Sequence, residues 1–267
     1  MQTETQPATL TSLCDVEALA ASRSTRWRPG LGNVSHSEVF ACGREASGGA
    51  VALALALDHL RSVAPDPLGE AEDRRAVLWV QDRAAVRLTG RPYRPGLPQS
   101  LRHRVIHVVA EKAEDALFAL EEGLRCRDLA FVLGELAGNP KPLDFTASRR
   151  LSLAAERHGV PLWLVRLDAR PDLSSARLRW QVRSSASPPP RWNAHAPGPP
   201  QWHADLFRAR AHAPGEWILR DDETALVAQR PRQAARVAAP VGTAAPYPLG
   251  LAFAAGDRSL APKLSGS

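Results

Sequence analysis

Short apolar runs alternate with segments of helical periodicity through the middle of the chain. Residues 76–80, 105–109 and 129–133 are almost continuously apolar, which is typical of parallel strands covered on both faces. Residues 113–124 place their apolar side chains on one helical face and carry acidic residues near the start, which predicts a helix. This alternation predicts parallel βα units, whose functional groups lie at the carboxyl ends of the strands.

The same pattern extends on both sides of this region. Residues 39–42 are a candidate first strand, and residues 50–60 are apolar nearly all round, which predicts a helix packed on more than one side. A helix is expected at residues 147–158, with Thr146 as its cap and Gly159 as its stop, followed by a strand at 160–167. A short amphipathic helix is predicted at residues 11–21.

Beyond residue 167 the helical periodicity is lost. Three strand-like segments, residues 176–183, 202–208 and 217–219, are separated by turn residues, which predicts an antiparallel extension of the sheet. The predicted fold is therefore α/β: a RecA-like core with a mostly parallel central sheet, helices on both faces and an antiparallel C-terminal extension. We expect an N-terminal helix and linker at 1–30, the core domain at 31–230 and a disordered Ala/Pro-rich tail at 231–267.

The segment between the first strand and the first core helix resembles a phosphate-binding loop. Such a loop reads G-x-x-x-x-G-K-[ST], in which backbone N–H groups hold the phosphates, the lysine meets the terminal phosphates and the hydroxyl binds magnesium. Here Gly43, Ser47 and Gly48 keep the loop character, but Gly49 stands in the lysine position and Ala50 in the hydroxyl position. The motif is degenerate, and the alternative is that the glycines only make a tight turn into a helix.

A complete set of hydrolytic residues cannot be assembled. Asp82 and Glu135 each follow a predicted strand, where a nucleotide hydrolase needs its acids, but both also suit a polar residue that closes a buried strand. We therefore predict that the protein is not an enzyme and binds no cofactor. The alternative is an atypical ATPase in which Arg44 or Arg83 replaces the missing lysine.

The charge of the chain suits a nucleic-acid partner. The formal net charge is +6, and lysine occurs only at positions 112, 141 and 263, so the cations are almost all arginine; GC-rich coding would give the same composition. Residues 90–98 contain three prolines and two glycines, which predicts a surface loop. Arg91, Tyr93 and Arg94 in this loop are candidates for binding single-stranded DNA, with the tyrosine stacked on a base; an ordinary solvated loop is the alternative.

Several other classes of protein are excluded. The three cysteines are too few for a disulfide framework or a Cys-rich zinc site. His103 and His107 lie in and beside a predicted strand without a third ligand, so we expect no metal. Ser47 lacks the surrounding glycine pattern of a hydrolase nucleophile. The longest apolar run is far shorter than a membrane span, so we expect a cytoplasmic protein.

Six segments together resemble the ImuA family, RecA-like and SulA-like accessory proteins of bacterial damage-induced mutagenesis. They are residues 43–57, 90–97, 121–126, 134–136, 143–153 and 214–217. Their order and spacing cover roughly residues 30–220.

This resemblance implies a non-catalytic adaptor in a translesion-synthesis complex of the SOS response. The expected partner is an ImuB-like Y-family polymerase homologue, with RecA and a DnaE2-type polymerase as further candidates. Contact with DNA, direct or through a partner, stays open, as do the oligomeric state and the terminus that binds the partner.

Overall fold

Nine strands form one continuous sheet in the computed structural model, which describes residues 26–31, 35–63, 73–190, 192–222 and 224–231. The strands are β1 (His36–Ala41), β2 (Ala76–Asp82), β3 (Val105–Ala110), β4 (Leu129–Ala137), β5 (Leu162–Leu167), β6 (Leu178–Ser185), β7 (Gln201–Ala209), β8 (Gly215–Asp221) and β9 (Leu226–Gln229). Their order is β3-β2-β4-β5-β1-β6-β7-β8-β9. The first six strands in that order pair in parallel, and β6 to β9 pair antiparallel. The predicted sheet, with its antiparallel extension, is confirmed.

Helices pack on both faces of this sheet. They are α1 (Ser47–Val63), α2 (Arg83–Thr89), α3 (Ala113–Arg125) and α4 (Phe145–His158). One apolar cluster joins α1 and α2 to one face and runs on to β8 and β9, and a second joins α3 and α4 to the other face. The architecture is that of a RecA-like core, as predicted.

Buried polar residues extend β1, β2 and β4 beyond the apolar pattern, and in β2 they are Gln81 and Asp82. β1 begins at His36, since His36 Nδ1 lies 2.7 Å from Ser152 Oγ and Glu38 accepts a 2.7 Å hydrogen bond from Arg179 Nε. β4 continues to Ala137, so Glu135 lies within the strand and not after it. Polar partners inside the protein allow these residues to be buried in a sheet.

The starts of two helices also differ from prediction. α1 begins at Ser47, so Ser47, Gly48 and Gly49 form its first turn. α4 begins at Phe145, and its cap is Asp144, whose carboxylate accepts a 2.7 Å hydrogen bond from the Ala147 N–H. The cap predicted at Thr146 is wrong, because that residue already lies inside the helix. The stop at Gly159 is confirmed by its left-handed conformation, with φ at 69°.

Two elements are absent from the sequence prediction. α2 begins directly after β2, with Asp82 as its cap, and β9 is a four-residue edge strand. The loop at 90–98 contains a 3-10 turn at Arg94–Gly96.

Some sequence predictions cannot be compared with the structure. The helix predicted at residues 11–21 lies outside the described residues, as does all but the first residue of the tail predicted at 231–267. Among the described residues, none of the helices combines the length and apolar character that crossing a bilayer requires.

Candidate functional site

Residues 43–50, which we call the glycine loop, connect β1 to α1 through a tight turn. Glu45 N–H donates to the Cys42 carbonyl at 3.1 Å, and α1 starts two residues later. A Cβ atom at Gly48 would lie 2.8 Å from Val165 Cγ1 and 2.9 Å from Ala41 Cβ. Gly48 is therefore required for the close packing of α1 on the sheet, whether or not the loop binds a ligand.

Two carboxylates of the protein hold polar groups of the glycine loop. Asp168 Oδ1 accepts a 2.9 Å hydrogen bond from the Gly43 N–H. Glu45 Oε2 accepts hydrogen bonds from the Ser47 hydroxyl at 3.2 Å and from the Ser184 N–H at 2.7 Å. The hydrogen bond from the Ser184 backbone is the main cause that lowers the pKa of Glu45, so this carboxylate carries its negative charge. A phosphate entering the loop would meet these charges.

Gly49, at the position of the missing lysine, lies directly over Glu135. A Cβ atom at this position would lie 2.9 Å from Glu135 Oε1 and 3.3 Å from Trp79 Cζ2. Glu135 Oε1 accepts a 2.8 Å hydrogen bond from Trp79 Nε1, and Oε2 accepts hydrogen bonds from Gln81 Nε2 and the Thr89 hydroxyl, both at 3.1 Å. The space into which a side chain would extend is filled by this network.

The buried position of Glu135 determines the direction of its pKa shift. Burial raises its pKa above the usual range, and the hydrogen bonds from Gln81, Trp79 and Thr89 oppose that shift. The residue is only 3% exposed, so its carboxyl group is held among protein groups and not presented to solvent. The carboxyl group is thus a hydrogen-bond partner of Trp79, Gln81 and Thr89 inside the protein.

Asp82, the other acid that the sequence places near a strand end, caps α2. Its Oδ1 accepts a 2.6 Å hydrogen bond from the Ala85 N–H. Burial raises the pKa of Asp82, and the hydrogen bonds from the Ala85 and Ala137 N–H groups oppose the shift. Asp82 therefore has a structural role that accounts for its position.

Neither arginine of the alternative ATPase hypothesis occupies the lysine position. Arg83 pairs with Glu111, with an Nη1 to Oε1 distance of 2.7 Å. Arg44 is an exposed residue of the glycine loop. The hydrogen bonds of Glu135 come instead from Trp79, Gln81 and Thr89.

The candidate DNA-binding residues Arg91, Tyr93 and Arg94 are all exposed. Tyr93 has 75% of its surface accessible. Burial lowers the pKa of His107, and the positive charges of Arg91 and Arg94 lower it further, so both cations act on this part of β3. The loop thus presents an exposed aromatic ring and two exposed arginines, of which Arg94 donates from Nη2 to the Val105 carbonyl at 3.4 Å.

Two further arginines of this region are held by backbone carbonyl groups. Arg102 Nε donates to the Leu97 carbonyl at 2.9 Å. Arg104 donates to the Arg75 carbonyl from Nε at 2.9 Å and from Nη2 at 2.6 Å. These two side chains brace the connection between β2 and β3.

A buried ionic cluster, not foreseen in the sequence, joins β1, β5 and β6. Glu38 accepts a 2.7 Å hydrogen bond from Arg179 Nε and a 2.7 Å hydrogen bond from the Ser174 hydroxyl, and Arg166 Nη1 lies 3.8 Å from its Oε1. Both arginines also approach the half-exposed Asp172, at 3.4 and 3.7 Å. Each arginine lies over the ring of Phe40. Glu38, Arg166 and Arg179 stand within apolar strands, so the spacing of hydrophobic residues gave no signal for them.

The comparison with curated proteins finds two matches in sequence. Both are called Protein ImuA and come from two strains of Caulobacter vibrioides. Each is 32% identical to this chain over 201 residues, which covers 70% of this chain and 74% of the relative. No family model matches the chain.

Proposed function

The chain belongs to the ImuA family, and from this premise we propose that it is a non-catalytic RecA-like adaptor in damage-induced mutagenesis. Family membership supports the role in mutagenesis. We further propose that the adaptor binds an ImuB-like Y-family polymerase homologue and RecA, and works beside a DnaE2-type polymerase in translesion synthesis. Residues 31–230 are the proposed core, flanked by segments 1–30 and 231–267, and the proposed location is the cytoplasm.

The occupation of the glycine loop by the protein's own carboxylates is the observation that supports a non-catalytic role. Asp168 takes the Gly43 N–H, and Glu45 takes the Ser47 hydroxyl. The position of the lysine is closed by Glu135. A loop with these contacts retains the fold of a nucleotide-binding domain, while the Gly43 N–H and the Ser47 hydroxyl are already bound by carboxylates of the protein.

Nucleotide binding is tested with purified full-length protein. A ligand at about a hundred times its Kd stabilises a protein by about 2.7 kcal/mol, so MgATP would raise the Tm if it bound. We expect no rise in Tm and no ATP turnover above background, with RecA as the positive control. A micromolar affinity for ATP that is lost in Arg44→Ala would instead support the atypical ATPase.

The adaptor role is tested by co-purification with the two proposed partners. We expect the full chain to retain the ImuB-like homologue, RecA or both through size-exclusion chromatography. A chain that ends at Pro231 tests whether the C-terminal segment is needed. Failure of the full chain to retain either protein would contradict the adaptor role.

Direct binding of single-stranded DNA is a second candidate function, favoured by the exposure of Tyr93, Arg91 and Arg94 in one loop. Stacking of a base on an aromatic ring contributes about 1–3 kcal/mol. We expect affinity for oligothymidine to fall steeply with salt and to drop in the Arg91→Gln, Arg94→Gln double variant. The matched control is Arg149→Gln with Arg150→Gln on α4, where two exposed arginines lie on another part of the surface.

A further inference from the structure

A small cavity lies between α1 and the strands β1, β5 and β6. Ser37 of β1 lines it, and the strand register places Trp163 and Leu178 beside Ser37 on the two neighbouring strands. The C-terminal half of α1 contributes Leu55 and His59 to the lining. We call this space the Ser37 cavity.

Residues 26–31 bound another side of the Ser37 cavity. Trp27 lines it, and its ring packs edge-on against the ring of Trp180, with 4.7 Å between the ring centroids. The Gly30 N–H donates to Asp58 Oδ2 at 2.7 Å, which attaches this segment to α1. The cavity is therefore bounded by the sheet, by α1 and by residues 26–31.

Three buried polar atoms of the residues that line the Ser37 cavity have no hydrogen-bond partner in the parts of the chain that the structure describes. They are Ser37 Oγ, His59 Nδ1 and Trp180 Nε1. Ser37 and Trp180 are 0% exposed, so bulk water does not reach them. Because an unpaired buried polar group is costly, such groups in folded proteins are normally paired with protein or with an ordered water molecule.

The chemistry of these three atoms requires an occupant that can both accept and donate hydrogen bonds. An indole N–H only donates, so the occupant must accept from Trp180, whereas the Ser37 hydroxyl can do either. Burial lowers the pKa of His59, so its ring is neutral at pH 7, and a nitrogen of a neutral imidazole accepts or donates according to the tautomer. Water satisfies each of these combinations.

The groups around the Ser37 cavity disfavour an ion as its occupant. A cation would be repelled by the hydrogen of the Trp180 N–H, and Asp58, the acid in the lining, already holds the Gly30 N–H with Oδ2. Among the described residues, no group of three or more side chains is arranged to hold a metal ion. The described residues that line the cavity include no arginine or lysine, so an anion would lack an opposite charge.

The size of the Ser37 cavity selects water among neutral molecules. The space open to the centre of a water molecule is about 20 Å³, and one water molecule needs about 10–15 Å³ by the same measure. Pockets for small organic molecules are usually about 300–1,000 Å³. The cavity therefore has room for one water molecule and is too small for an organic ligand.

We propose that the Ser37 cavity is a binding site for one structural water molecule, which bridges Ser37, Trp180 and His59. This water joins α1 to β1 and β6 near the end of α1 opposite the glycine loop. It completes the hydrogen bonding of three buried groups. The inference does not depend on the proposed adaptor function.

A high-resolution crystal structure of the full-length protein tests the site directly. We expect a solvent peak within about 2.5–3.2 Å of Ser37 Oγ, Trp180 Nε1 and His59 Nδ1. Three results would overturn the proposal. They are an empty cavity, a protein atom from outside the described residues bonded to these groups, and an ion bound to Asp58 at the metal–oxygen distance of about 2.0–2.6 Å.

The variant Ser37→Ala distinguishes a hydrogen-bonded hydroxyl from an unpaired one by the direction of its effect. If the hydroxyl binds water, its removal lowers the urea midpoint of unfolding. If the hydroxyl is unpaired, its removal relieves the cost of burying it, and the midpoint stays the same or rises. The matched reference is Ser152→Ala, which removes a buried Oγ that lies 2.7 Å from His36 Nδ1.

We expect both serine variants to lower the midpoint, and a fall in Ser152→Ala alone would overturn the proposal. The wild-type crystal structure decides the question if Ser37→Ala fails to fold. Neither experiment involves the ImuB-like homologue or RecA. Failure of the water site therefore leaves the adaptor function standing, and failure of the adaptor function leaves the water site standing.

Discussion

At the scale of single residues, the contact between Gly49 and Glu135 joins the glycine loop to the interior of the sheet. The carboxyl group is fixed by Trp79, so it cannot move aside without losing a hydrogen bond of 2.8 Å. The absence of a side chain at Gly49 therefore has a local cause that is independent of nucleotide.

We expect Gly49→Ala to destabilise the protein although alanine favours helices by about 1 kcal/mol over glycine. The added Cβ would lie 2.9 Å from Glu135 Oε1, and overpacking of this kind costs about 1–3 kcal/mol. Urea unfolding measures the change. In the background of Glu135→Ala the same substitution should become neutral or stabilising, and an unchanged cost in that double-mutant cycle would contradict the contact.

His36 makes the free energy of unfolding depend on pH, and the direction of its pKa shift gives the sign of that dependence. Burial is the main cause that lowers its pKa from 6.5 to about 4, while Glu38 raises it and Arg179 and Arg166 lower it. The pKa of His36 in the folded protein lies below its value in the unfolded chain. The contribution of neutral His36 to the free energy of unfolding is therefore complete above about pH 6.5 and is lost as the pH falls toward about 4.

Between about pH 7 and about pH 5, the His36 contribution to the free energy of unfolding should fall by about 2 kcal/mol. The variant His36→Gln lacks this titration. Urea midpoints at the two pH values should therefore differ more for the wild type than for the variant. Equal differences would show that His36 does not titrate in this range.

At the scale of secondary-structure elements, α4 shows why a single cap determines where a helix begins. Asp144 and Thr146 are both residue types that cap helices. The carboxylate of Asp144 reaches the Ala147 N–H, whereas Thr146 is exposed in the first turn.

We expect Asp144→Ala to lower the free energy of unfolding by about 1 kcal/mol. The control is Thr146→Ala, an exposed substitution whose effect should stay within about 0.5 kcal/mol. Thermal or urea denaturation of the two variants makes the comparison. A larger loss of stability in Thr146→Ala than in Asp144→Ala would contradict this assignment and favour Thr146 as the cap.

Elements with a clear apolar period could be predicted from the sequence, and elements defined by polar contacts could not. β2, β3 and α3 have starting residues that agree with their patterns, because burial of apolar side chains defines them. β1 begins with buried polar residues, and the partners of His36 and Glu38 lie more than a hundred positions away along the chain. No local pattern reveals such partners.

In the candidate site, too, some features could be predicted from the sequence and others could not. The missing lysine at Gly49 and the missing hydroxyl at Ala50 could be read directly from the spacing of the motif. The carboxylate of Asp168 on the Gly43 N–H and the position of Glu135 under Gly49 depend on strand pairing. They could be found only in three dimensions.

At the scale of the whole molecule, the Glu38 cluster lies where the parallel and antiparallel parts of the sheet meet. It joins β1 and β5 to β6, from which the antiparallel extension continues. Glu38, Arg166 and Arg179 are each at most 3% exposed. Removing the charge of Glu38 would leave two buried cations insufficiently paired.

We expect Glu38→Gln to cost about 3–5 kcal/mol, as is usual when one partner of a buried ion pair is removed. The control is Glu156→Gln, whose pair with Arg177 has a distance of 2.7 Å but is partly exposed and should contribute about 0–1 kcal/mol. Thermal unfolding of both variants tests the difference. Similar losses would show that the cluster does not hold the two parts of the sheet together.

The carboxylate that holds the Gly43 N–H has a consequence for how such a protein can be regulated. In a nucleotide-dependent ATPase, the phosphate-binding loop alternates between an empty and a filled state, and the rate of nucleotide hydrolysis and exchange sets how long each state lasts. Here Asp168 is part of the chain, so the Gly43 N–H has its acceptor as soon as the protein has folded. For the adaptor proposed above, we expect activity in the cell to follow its abundance and that of its partners rather than the supply of ATP.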